Sequence, residues 1–238
     1  MAKKIEKLPC ETCHSRKFSL FNEVAEAHLC QLSADKNYVF YKKGQTLFYE
    51  GTRPLGLFCI NEGAVKVYKS TPNGKEQILR LSKPGDFLGY RALLGEEHYA
   101  ASATILEDAK ICFILKESFL HLLSTDSNLY RKLMKAICHE VGLLEEKVTE
   151  LSQKSVRERL AHTLLMLKET YGIDGDANSQ KIDIALPRED LASIVGTATE
   201  TVIRLLSEFK NDGFIDFEGK KIKILDSKAL AKTSNCFA

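Results

Sequence analysis

No stretch of these 238 residues approaches the roughly 18 to 20 uncharged apolar residues that a membrane-spanning helix needs. The opening Met1-Ala2-Lys3-Lys4-Ile5-Glu6-Lys7 lacks the apolar run of a secretory leader, so the expected compartment is the cytoplasm. Excess charge of one sign is missing too. The 34 basic and 32 acidic side chains leave a net +2, and from Lys154 onward the two signs are about equal. Bulk electrostatics therefore says little for a polyanionic partner, and any such case must rest on local motifs. The seven cysteines are odd in number and, in an intracellular protein, exclude a disulfide framework. Most are expected as small buried side chains. Closely spaced histidines are absent: His14, His28, His98, His121, His139 and His162 lie far apart. No histidine pair with a carboxylate and no nucleophilic serine or cysteine motif offers itself to an enzyme, so catalysis is not expected.

What remains is an ordinary composition, 44% hydrophobic and 28% charged, long enough for two modest domains with separate cores. From Tyr38 to Leu115 short segments rich in β-branched and aromatic residues alternate with glycine turns. They are Tyr38–Tyr41, Thr46–Tyr49, Leu57–Ile60, Ala64–Ser70, Glu76–Leu81, Ala101–Leu106 and Lys110–Leu115, punctuated by Gly44, Gly51, Gly63, Gly74, Gly85 and Gly95. Pro72-Asn73-Gly74 supplies a tight turn. A β-sandwich or roll is expected over this region. Gly172 to Ser179 reads as a polar loop, and no repeat or low-complexity tract appears.

Thr125-Asp126-Ser127-Asn128 are good helix starters, and a helical pattern follows to about Lys154. Tyr130, Met134, Ile137, Val141, Leu144, Val148 and Leu151 recur at alternating spacings of four and three, a heptad seam that asks for a second helix. Leu129, Leu133 and Leu143 lie off the seam, free to pack against the β region. A homodimer axis is expected, with a core helix inside one chain as the alternative.

The most informative segment is Leu186 to Phe209. Pro187, Glu189 and Asp190 open one helix, Leu191, Ile194 and Val195 form its apolar face, and Gly196 makes a sharp turn. A second helix begins near Thr197–Thr199, with Val202, Leu205, Leu206 and Phe209 as its buried stripe. This is a helix-turn-helix, whose second helix enters the DNA major groove. Thr199, Glu200, Ile203 and Arg204 then face the bases: arginine suits guanine and glutamate suits cytosine N4. Thr197 and Thr201 offer hydroxyls to phosphates. Glu200 and Arg204 also stand at the spacing of a solvated salt bridge. Phe214 to Leu225 reads as a hairpin wing whose Lys220, Lys221 and Lys223 are placed for backbone phosphates.

The order of β-roll, long helix and winged helix resembles the CRP/FNR family of bacterial regulators. Matching segments are Lys43–Phe48, Asn61–Val67, Pro84–Gly89, Arg157–Ala161 and Gly196–Leu206. The resemblance implies an α+β chain: an N-terminal segment and cyclic-nucleotide-binding-like jelly roll over 1–125, a dimerisation helix over 126–153, and a winged helix-turn-helix over 154–238. It implies a homodimer on an inverted-repeat operator of double-stranded DNA, in contact with RNA polymerase. The alternative is a ligand or redox sensor on the same scaffold that works through protein partners without DNA.

In the family's cAMP-binding branch a Glu following the Gly-Asp-Phe-x-Gly segment holds the ribose and an Arg-Ser pair holds the phosphate. Those positions, beside Gly89, carry Tyr90 and Tyr99-Ala100, and the family's adenine contacts correspond to Leu144-Glu145. A buried phosphate without cation or hydroxyl would be poorly satisfied, so cAMP is not the expected effector. Arg91 either recruits another anion or is an ordinary surface residue. The redox branch holds an iron–sulfur cluster on N-terminal cysteines plus one from the β-roll. Cys10, Cys13 and Cys112 fall on three of those positions, while the fourth, near Phe18-Ser19, has no cysteine. His14, Cys30 or an outside ligand would have to substitute. Other readings are a zinc site completed by His14 or His28, a reversible dithiol, or plain packing. Cys59, Cys112 and Cys138 stand in apolar contexts that suit the core.

Overall fold

The computed structural model describes residues 9–172 and 185–235, so the polar loop expected after Gly172 lies outside the described residues. The chain divides into two compact units, Met1–Val141 and Gly142–Ala238.

In the first unit a 3-10 turn, His14–Phe18, precedes α1 (Glu26–Asp35). Then come β1 (Asn37–Tyr41), β2 (Thr46–Phe48), β3 (Gly56–Ser70), β4 (Glu76–Ser82) and β5 (Phe87–Leu88). α2 (Tyr90–Leu94), β6 (Ser102–Leu115) and α3 (Lys116–Thr125) follow. The antiparallel sheet runs β1-β6-β3-β4, with β2 also on β6 and β5 on β3. β3 and β6 each join two segments that the sequence presents as separate. Gly63 is the reason on β3: it is a bulge and not a turn. Its φ is +89°, and a Cβ there would sit 2.6 Å from the Asp108 carbonyl of β6, so only glycine lets the two strands stay paired.

Alternation along β3 gives the sheet two faces. Phe58 and Ile60 join Val65, Ile105 and Ile111 inside the roll. Leu57 and Cys59 turn the other way, toward Leu29, Leu32, Phe119, Leu122 and the first turns of the next helix. That helix, α4 (Ser127–Gln153), starts where the Asp126 carboxylate accepts from the Leu129 amide at 2.9 Å. Leu129 and Leu133 are buried against this face, whereas Leu143, expected with them, is exposed. It lies past the turns that touch the cluster.

The second unit begins its globular part with α5 (Val156–Tyr171), opened by a reciprocal capping box between Ser155 and Glu158. α6 (Arg188–Val195), α7 (Thr199–Asn211), the hairpin β7 (Ile215–Glu218) and β8 (Lys221–Ile224), and α8 (Ser227–Thr233) complete it. Leu160, Leu164, Leu191, Val195, Val202, Phe209, Ile224 and Leu230 close the core. The expected α+β architecture of β-roll, long helix and winged helix-turn-helix is present. α8 is an addition, and its signal was Asp226, whose carboxylate caps the Ala229 amide at 2.9 Å.

Candidate nucleic-acid interface and thiol-lined cavity

Gly196 ends α6 with φ +74° and ψ 53°, the left-handed conformation that costs glycine nothing. The turn is tight enough for the amides of Gly196 and Thr197 both to reach the Ala192 carbonyl, at 2.9 and 3.1 Å. Consecutive carbonyls at this helix end would otherwise be orphaned. Lys147 Nζ donates to Ile194 O at 3.0 Å; Arg159 Nε donates to Val195 O at 3.0 Å and Nη2 to Gly196 O at 3.3 Å. Arg159 Nη1 also donates to Lys154 O at 2.7 Å. Two cations thus sit at the negative end of α6 and hold the turn from outside. Burial pulls the Lys147 ammonium below its usual range.

With that turn held, α7 buries Val202, Leu205, Leu206 and Phe209. Glu200, Arg204 and Ile203, the last 49% exposed, face out, with Thr199, Thr201 and Thr197 half-buried beside them. Arg204 does not pair with Glu200 as its spacing suggests. It pairs with Glu208 one turn further on. Glu208 is already anchored by Arg157 of α5 at 2.7 Å, and Arg157 lies 4.7 Å over the Phe209 ring and reaches Asp212 at 2.7 Å. A carboxylate fixed by tertiary contacts outcompetes one on a free helix face. On the wing, exposed Lys220 and Gly219 form the two-residue loop, and Lys221 opens β8 opposite Glu218.

Glu150 on α4 bonds Lys154 at 2.9 Å and also pairs with His162 of α5. Burial opposes its charge, but the Lys154 hydrogen bond and the charges of His162, Lys154 and Lys147 prevail, holding its carboxyl below the usual range. A depressed carboxyl stabilises the fold above its unfolded pKa, and that contribution is lost as pH falls through the folded value. The urea-midpoint gap between wild type and Glu150→Gln should therefore be largest near neutrality and close on acidification. A gap independent of pH would show that Glu150 contributes nothing through its charge.

In the first unit Tyr99 is buried and stacks on Phe48, centroids 4.0 Å apart. Its ring presses on Gly89, where a Cβ would come within 3.2 Å of it. Tyr90 is buried with its hydroxyl in contact with Arg80 and Glu140, which form an ion pair linking β4 to α4. Burial raises both phenols to about 12. Arg91, Leu144 and Glu145 are exposed, and Ala100 is half-buried. Arg80 and Glu140 carry no motif, which is why spacing did not single them out.

Beneath the outer face of the sheet lies a cavity of about 40 Å³ lined by Cys10, Cys13, Lys36, Cys59 and Cys112. Cys10 Sγ accepts from Lys36 Nζ, and Cys13 Sγ accepts from Asn61 Nδ2, each at 3.1 Å. Burial would depress the Lys36 ammonium, but the surrounding thiols of Cys112, Cys10 and Cys13 raise it instead. Burial pushes Cys112 to about 11 and Cys59 well above the thiol range. His14, His28 and Cys30 are not among the lining residues. Cys138, expected in the core, is exposed on α4, on the face turned away from the sheet. Among the described residues no three His, Cys, Asp or Glu side chains are already gathered to hold a metal ion. The donor set itself fits a thiophilic metal or cluster, since four cysteines line one cavity.

Residues 38–126 match the family model for the cyclic nucleotide-binding domain, and residues 158–233 that for the Crp-like helix-turn-helix domain. The fumarate and nitrate reduction regulatory protein of Salmonella typhimurium is 32% identical over 190 residues, covering 80% of this chain and 75% of that one. The transcriptional activator protein anr of Pseudomonas aeruginosa is 32% identical over 186 residues, covering 78% and 75%. The solved structure of FixK2 from Bradyrhizobium japonicum shares the fold, with TM-score 0.73 and 23% identity over 85% of this chain and 99% of that one.

Proposed function

We propose, from the premise that this chain belongs to the CRP/FNR family of DNA-binding transcription regulators, that it acts in the cytoplasm as a homodimer on an inverted-repeat operator. It meets RNA polymerase there and catalyses no reaction of its own. The observation that carries this reading is the outward stripe of α7, Thr199, Glu200, Ile203 and Arg204, presented by a helix pair whose turn is clamped by Arg159. Thr197, Thr201, Lys220 and Lys221 border it as phosphate contacts, which set register without reading sequence.

Arg204 must leave Glu208 to reach a base. An exposed pair of that kind is worth at most about 1 kcal/mol, whereas a bidentate guanine contact discriminates by about 1–3 kcal/mol, so the groove wins. Selection from random DNA should return two half-sites about one helical turn apart. Arg204→Ala should relax preference at one guanine, and an unchanged sequence logo would remove Arg204 from the readout. Lys221→Ala should weaken all sequences alike and lower the salt slope by about one unit.

Cyclic AMP is not the effector in this reading. Tyr99 supplies a ring where a phosphate would need a cation, and Tyr90 is committed to Arg80 and Glu140. Calorimetry should record no micromolar cAMP affinity; finding it would overturn this assignment.

A further inference from the structure

Cys59 and Cys112 are direct partners across β3 and β6, so their side chains leave the same face of the sheet side by side. Cys10 and Cys13, one turn apart with the Cys13 amide on the Cys10 carbonyl at 3.3 Å, come to that face from the N-terminal segment. The four sulfurs border one cavity. A fifth lining group is Lys36, only 2% exposed, whose Nζ bonds Cys10 Sγ at 3.1 Å and has no ion pair to a carboxylate among the described residues. The Glu11 carboxylate acts on it only from beyond ion-pair distance, and a buried ammonium without an anion in direct contact is costly.

We propose that this cavity is a tetrathiolate metal site in which Cys59 is the fourth ligand and Lys36 is its charge partner. Four thiolates suit a thiophilic centre, whether a single divalent ion or an iron–sulfur cluster. Binding one divalent ion replaces four S–H bonds by four metal–sulfur bonds and releases four protons, leaving a centre of charge −2. The Lys36 ammonium reduces that to −1 without supplying a ligand. Cys10 and Cys13 would exchange their bonds from Lys36 and Asn61 for bonds to the metal. Lys36 is thus a positioning and charge-balancing residue, and Cys30 and Cys138, both exposed, take no part.

The test uses the full chain purified without oxygen, with iron, zinc and acid-labile sulfide measured. Iron with sulfide identifies a cluster, and zinc without sulfide a single ion; either supports the ligand set. The metal-free chain is then titrated with Co²⁺. About one equivalent should bind, with a sulfur-to-cobalt charge-transfer band that loses about a quarter of its intensity in Cys59→Ser. Lys36→Met keeps every thiol and should weaken Co²⁺ binding about 10- to 100-fold, while Cys30→Ser changes nothing. Should Cys59→Ser fail to fold, X-ray absorption of the wild-type zinc-loaded chain decides, with four sulfurs expected at about 2.3 Å. Three sulfurs with a nitrogen or oxygen, an unchanged band in Cys59→Ser, or no uptake of Co²⁺ by wild type would overturn the proposal. Operator binding recorded in parallel keeps this outcome distinct from that of the DNA-reading proposal.

Discussion

Replacing Val141 and Leu144 together by aspartate should leave the protein monomeric at micromolar concentration and abolish high-affinity operator binding. Both side chains are about half exposed on α4, at 50 and 53%, and Val148 follows at 67%. Ile137 of the seven packs against the core of the first unit, but six exposed apolar residues in one stripe are unusual on a helix unless a second helix covers them. Burying one such side chain contributes about 1.5–3 kcal/mol, and a twofold axis counts each position twice. Unpaired carboxylates in the seam would cost about 3–5 kcal/mol, a weakening of roughly a hundred- to several-thousandfold. Operator affinity should fall with it, because half-sites one turn apart reward only a joined pair of readers. Light scattering checks the state; a double variant that stays dimeric would move the axis away from this seam.

Arg159→Met should lower the stability of the second unit by about 3 kcal/mol. The guanidinium is 9% exposed and makes three hydrogen bonds to carbonyls of Lys154, Val195 and Gly196. A charged donor's bond contributes about 1.5–3 kcal/mol, and its loss strands buried acceptors at about 1–3 kcal/mol each. Packing of the methionine offsets part of this sum. For a unit of this size the melting temperature should fall about 10–20 °C. Arg159→Lys should restore little, since one ammonium on a flexible stem does not span three carbonyls as a planar fork does. Calorimetry of the three proteins reads this directly, and a shift of a degree or two for Arg159→Met would show that the α6 turn holds without its clamp.

The strands, the long helix, the helix-turn-helix pair and the wing hairpin were legible from spacing, whereas α1, α2, α3, α5 and α8 were not. The helix-turn-helix was readable at Gly196 because a single residue must adopt positive φ there, and the stripe of Val202, Leu205, Leu206 and Phe209 repeats at helical period. The apolar stripe on α4 was readable for the same reason, with Tyr130, Met134, Val141, Leu144, Val148 and Leu151 exposed along it. Gly63 misled, because a glycine in a bulge and a glycine in a turn look alike until the opposing strand is known. Cys138 misled because apolar neighbours in sequence occupy a different face of a helix.

What the sequence by itself determined, then, is how its strongly periodic segments fold and which of their faces are apolar, since both follow from backbone periods of two and 3.6. Only the tertiary structure decided which polar group meets which. Arg204 turned to Glu208 because Arg157, 51 residues upstream of that carboxylate, had anchored it. Arg159 found carbonyls 36 and 37 residues away, and Lys36 came to rest beside Cys10, 26 residues earlier. Cys59 joined Cys112 because the register of β3 on β6 places them opposite. The physical reason is that a buried charge must take a partner that long-range packing delivers, and local spacing carries no record of that delivery.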